Sequence, residues 1–117
     1  MPDLSTDAGL IGLFRGWGDP ELVVIDSLSS LAHWDGSDPK PWNKLQAFAR
    51  WNARKGRTIL FVDHTNKHGE RRGGHARDSE LDLVMGLCPP RGLVRSPQTH
   101  FEIHFDRAPG LTPAARE

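Results

Sequence analysis

The sequence predicts an α/β fold: a mostly parallel sheet with flanking helices and an antiparallel C-terminal strand. Three observations predict it. Residues 22–26, LVVID, and 58–63, TILFVD, are unbroken apolar runs of strand length, the kind that a parallel sheet buries on both faces. Between them, PWNKLQAFARWNARKG places apolar residues at Trp42, Leu45 and Phe48/Ala49, which is a helical period. Strand, helix and strand joined by a crossover of this length form a right-handed parallel βαβ unit in nearly all cases. Near the end of the chain, HFEIHFD alternates Phe101, Ile103 and Phe105 with His100, Glu102, His104 and Asp106. That pattern predicts a half-buried edge strand running antiparallel.

The remaining elements follow in order. STDAGLIGLFRGWG sets Leu10, Leu13, Phe14 and Trp17 at i, i+3, i+4 and i+7, with Ser5 or Thr6 as cap and Gly18 as stop, an amphipathic helix. HWDGSDPKPWN reads as a loop in which Asp38–Pro39 supplies a helix cap and a first-turn proline. The central helix gathers Arg50, Arg54 and Lys55 near its end and stops at Gly56. After His64 the segment TNKHGERRGGHARDSE has no hydrophobic period and reads as a long loop. LDLVMGL fits either a short helix or a strand; its length and the Pro89–Pro90 stop favour a strand. One domain, 1–110, is expected, followed by a flexible tail, 111–117.

Composition bounds the partners. Fifteen basic and fifteen acidic residues cancel over 117 positions, so no global charge points to nucleic acid or membrane. A single cysteine, Cys88, excludes an internal disulfide and favours a reducing compartment. No apolar run approaches the roughly 18 residues of a membrane span, and no signal peptide is visible, so a cytoplasmic protein is expected.

The chemistry centres on strand ends. Ligands of open parallel sheets bind outside the carboxyl ends of the strands, where Asp26, Ser27, Asp63 and His64 all fall. An acid there can hold Mg²⁺, usually through water, beside a phosphate. Equally, Asp26 can satisfy loop N–H groups while Asp63 serves as a turn acid. In the loop KHGERRGGHARD, Lys67, Arg71, Arg72 and Arg77 lie among glycines and suit a phosphate backbone, although no aromatic platform is interleaved and nearby acids dilute the charge. The pairs His64/His68 and His100/His104 give little support for a metal site. Ser27 and Ser29 lack the G-x-S-x-G elbow of a hydrolase.

PDLST, LVVIDSLSSL, GRTILFVDHTNKHG, RRGGHARDSELDLVMGL and FEIHFDRAPG follow one another from Pro2 to Gly110. The ordered set resembles the RecA-like P-loop ATPases of the hexameric replicative-helicase type, above all the RepA-like and primase-associated ATPases of plasmids, phages and mobile elements. The resemblance implies a partial RecA-like sheet, with Asp26 in the Walker B position holding Mg²⁺. VDHTNK resembles the family's His-His-x-x-Lys pattern; Asp63 replaces the first histidine, and His64 matches the second as sensor of the γ-phosphate. Lys67, Arg72 and Arg77 fall where relatives carry cations that reach a neighbouring subunit's nucleotide or DNA. Mg²⁺ and ATP are the implied ligands, and ATP-driven movement on DNA during replication is the implied ancestral role.

The phosphate loop G-x-x-x-x-G-K-[ST] is missing; GLIGLFRG has glycines but neither Lys-Ser/Thr nor a preceding strand. The expectation is therefore the C-terminal half of the core, a fragment or degenerate relative that is not catalytic alone. Two alternatives stand beside it: a non-catalytic module binding nucleic acid or protein, and a metal-dependent phosphohydrolase using Asp26, Asp63 and His64. Losing the phosphate-loop strands would strand apolar sheet edges. Either residues 81–87 move in beside 58–63, or a homodimer pairs at an edge, through 22–25 or by swapping the C-terminal strands. Single-stranded DNA is the other expected partner.

Overall fold

The computed structural model describes residues 3–15, 17–31, 40–65, 80–92 and 97–111. Helix α1, Asp7–Gly12, opens on Thr6, whose hydroxyl accepts a hydrogen bond from the Gly9 N–H at 3.0 Å. It is shorter than the apolar spacing predicts. Beyond Gly12 the chain continues in tighter i→i−3 turns, Arg15 N–H to Gly12 O and Trp17 N–H to Phe14 O. Two glycines in six residues make a weak helix, and the turns take over where packing stops supporting it. Leu10 and Leu13 are buried as expected, but Trp17 is 58% exposed.

Strand β1, Leu22–Asp26, is followed by a four-residue helix α2, Leu28–Leu31, which the sequence reading does not contain. Helix α3, Lys40–Arg54, and strand β2, Thr58–Val62, complete the βαβ unit. β1 and β2 pair in parallel, Leu22 against Thr58 through Asp26 against Val62. Helix α3 ends in a Schellman motif. Gly56 N–H bonds Ala53 O and Arg57 N–H bonds Asn52 O, both at 3.0 Å. Gly56 sits at φ +77°, a conformation that a residue with a Cβ resists.

The core lies on one side of this sheet. Val23, Ile25, Leu28, Trp42 and Leu45 are buried, with Leu4, Leu10 and Leu13 alongside. Trp42 packs against Phe61 with ring centroids 6.2 Å apart, and Phe14 stacks on Phe48 at 5.7 Å. The other face of β1 is exposed at Leu22 and Val24, as is Leu60 on β2. Burial on both faces, expected from the unbroken apolar runs, is therefore corrected to burial on one. The cause is that every other β1 side chain points away from the helical layer.

Strands β3, Val84–Cys88, and β4, Glu102–Arg107, form a separate antiparallel pair. β3 thus pairs with β4 and not with β2, so the described sheets are two two-stranded ones instead of a single mostly parallel sheet. A bulge at Asp106 interrupts the register, with Val84 opposite Arg107 but Met85 opposite Phe105. The Arg107 Nε–H donates to Leu81 O at 2.7 Å. The alternation of β4 is real, but its inward half is a correction: Phe101 and Ile103 are exposed and only Phe105 is half-buried. Two strands offer no second layer to cover them. The chain divides into two compact units, Met1–Gly74 around β1–β2 and His75–Glu117 around β3–β4.

Candidate functional site

Parallel pairing puts the carboxyl ends of β1 and β2 at the same end of the sheet. Asp26 is the last residue of β1 and lies in register with Val62, so Asp63 follows one position beyond its neighbour. Asp26, Asp63 and His64 are all exposed. The Asp63 carboxylate accepts the backbone N–H of His64 at 3.0 Å, the geometry of an acid that holds a turn. Ser27 is different. Its side chain is buried, and its hydroxyl shares hydrogen bonds with the hydroxyls of Ser29 at 3.1 Å and Ser30 at 2.9 Å. The serine cluster ties β1 to the start of α2 and leaves Asp26 as the outward-facing group.

Lys67, Arg71, Arg72 and Arg77 lie outside the described residues, as does His68. Among the described residues no group of three or more His, Cys, Asp or Glu side chains could hold a metal ion. His104 meets Glu102 at 3.4 Å on β4, an exposed pair.

The test of fit for the implied ligands gives two answers. Mg²⁺ keeps most of its waters and asks for one or two carboxylates, which an exposed Asp26 at a strand end can supply. A nucleotide triphosphate asks for a cradle of backbone N–H groups and a lysine, and the sequence contains no such loop. The residues present fit a hydrated cation, not a triphosphate.

No family model, curated protein or solved structure matches this chain.

A second arrangement lies on α3 and was missed from the sequence. Lys40, Lys44, Arg50, Arg54, Lys55 and Arg57 occur in a stretch, Lys40 to Val62, that holds no acidic residue. Arg50, Arg54 and Lys55 are legible as the cations of a helix end, but the exposure of a ring among them is not. Trp51 stands on the outer face of the helix, 48% exposed, with the Lys55 ammonium 5.0 Å from its ring centroid. The Arg57 guanidinium lies 5.7 Å from the same ring and 5.0 Å from that of Phe14. Arg57 also donates to Asn52 Oδ1 at 3.2 Å and, through Nε and Nη2, to the Asp19 carboxylate. This bonding and the guanidinium charge hold the Asp19 carboxyl below the usual range.

Proposed function

We propose that the chain is a RecA-like half-core, a fragment or degenerate relative of a helicase-type ATPase from a plasmid, phage or mobile element, and that alone it does not turn over ATP. One observation carries this reading. The parallel β1–α3–β2 unit brings two strands to the same end with an acid on each, Asp26 and Asp63. Asp26 would hold hydrated Mg²⁺, and His64 would face a phosphate only in the ancestral whole that carries the phosphate loop. Lys67, Arg72 or Arg77 would act across an interface between two copies or along single-stranded DNA. ATP-driven translocation belongs to the ancestral whole. The missing phosphate loop favours the non-catalytic form, because no other group in the sequence replaces its lysine.

A steady-state phosphate-release assay with Mg²⁺ and ATP tests it. The expected result is a rate at background, unchanged by Asp26→Ala. Turnover that Asp26→Ala abolishes would overturn the reading in favour of an enzyme.

A further inference from the structure

We infer that the outer face of α3 is a binding surface for single-stranded nucleic acid, with Trp51 as the platform on which a base stacks. This surface is built from α3 residues other than the strand-end acids Asp26 and Asp63. It stands whether or not either of those handles nucleotide or DNA.

Helix α3 spends its apolar side on the sheet, where Trp42 and Leu45 are buried. Trp51 lies off that side, where it packs beside the Arg57 guanidinium yet leaves 48% of its surface exposed. By helical spacing its neighbours are Lys44 at i−7, Ala47 at i−4, the half-buried Phe48 at i−3, Arg54 at i+3 and Lys55 at i+4. Ala47 is itself exposed, and its methyl group is too small to cover the ring. Cations at the carboxyl end of a helix have an ordinary reason, the helix dipole. That reason covers Arg54 and Lys55 but not an aromatic ring between them and Lys44.

Charge selects the partner. Asp7 pairs with Lys44 at 3.1 Å and Asp19 with Arg57, and no acidic residue lies on α3 itself. Those pairs offset Lys44 and Arg57, which leaves Arg54 and Lys55 to make the end of the face beside Trp51 positive and suited to a polyanion. An aromatic ring set among cations is the arrangement that takes single strands, because every base has a π-face and every link a phosphate. Lys55 now lies over the ring, but an exposed cation–π contact is weaker than a base stacked on an aromatic. A base can displace the flexible ammonium, which then turns to a phosphate. An anionic bilayer fits less well. An interfacial helix needs its apolar face free to insert, and here that face is buried in the core.

The test is fluorescence anisotropy of a labelled oligodeoxythymidylate titrated with the full chain across a salt series. Trp51→Ala should weaken binding about ten-fold. The double change Arg54→Gln with Lys55→Gln should lower the slope of log K against log salt by about 1.4, two phosphate contacts on a single strand. An abasic strand of equal charge should bind the unaltered protein more weakly, a comparison that requires no variant to fold. Vesicles rich in phosphatidylserine should bind less than the oligonucleotide.

Absence of binding would overturn the inference. Equal affinity for the abasic strand would overturn it as well, leaving a surface for polyanions in general. Binding lost on changing Arg71, Arg72 and Arg77 to Ala, yet unaffected by the α3 changes, would transfer the contact to the loop. That outcome would sink this inference and leave the proposed function standing.

Discussion

Arg57 shows how much one side chain can join. Its guanidinium lies over the rings of Phe14 and Trp51, bonds the buried Asn52, and reaches the carboxylate of Asp19. The segment after α1, the end of α3 and the start of β2 thus meet at one planar cation, a role that the fork of arginine suits and a lysine point charge does not. Asp19 is solvent-exposed, so screening keeps its share small. The sign is nevertheless definite. Its carboxyl titrates lower in the folded chain than in the unfolded one, so its contribution is present above the unfolded value of about 4 and is lost as pH falls through the folded value. Asp19→Asn should therefore unfold at slightly lower urea than the parent near neutrality, and the gap should close as pH falls through the folded value. A gap that persists unchanged in acid would show that asparagine disturbs something other than the charge.

Helix α1 depends on a backbone contact that its sequence does not announce. A Cβ at Gly9 would stand 1.9 Å from the Asp3 carbonyl oxygen, so the helix can lie against residues 3–6 only with glycine there. At Gly12 nothing lies within 4 Å of the same position. Propensity alone gives alanine an advantage of up to about 1 kcal/mol at either site. At Gly12 that advantage should appear as a small rise in melting temperature. At Gly9 the forced shift of backbone should cost about 1–3 kcal/mol and reverse the sign. If both variants are stabilised, the close approach of Asp3 is not part of the folded chain in solution. The contrast also marks what the sequence could tell. A cap at Ser5 or Thr6, the Gly56 stop, the βαβ unit and the strand starting at Leu22 were legible because each rests on local chemistry or period. The single buried face of β1, the pairing of β3 with β4 alone and the seclusion of Ser27 were not. They depend on which layers exist, and an unbroken apolar run such as LVVI reads alike whether one face is covered or two. Asp26 and Asp63 fall at one sheet end because parallel pairing follows from the crossover; the Trp51 face is not legible, because Arg50, Arg54 and Lys55 read as the ordinary cations of a helix end and the exposure of the ring depends on packing.

The molecule as a whole has an edge problem. In the β1–β2 sheet each strand has one neighbour, so each has an outer row of backbone groups with no sheet partner among the described strands. Beside the β1 edge, Leu22 and Val24 are more than half exposed, and Leu60 adds to the same face. Exposed apolar edges are the templates on which chains pair, and natural proteins normally blunt them with charge, proline or a bulge. Leu22–Ile25 carries none of these before Asp26. Two copies related by a two-fold axis could join their β1 strands antiparallel, satisfying the backbone rows and bringing the two apolar faces into one surface. A homodimer of this kind is the expected state. Sedimentation equilibrium at micromolar concentration should give twice the mass of the chain. Val24→Lys should shift the equilibrium towards monomer without unfolding it, since that side chain points away from the core. A parent protein that sediments as a clean monomer would remove the edge from consideration and require the exposed face of Leu22, Val24 and Leu60 to be covered in some other way.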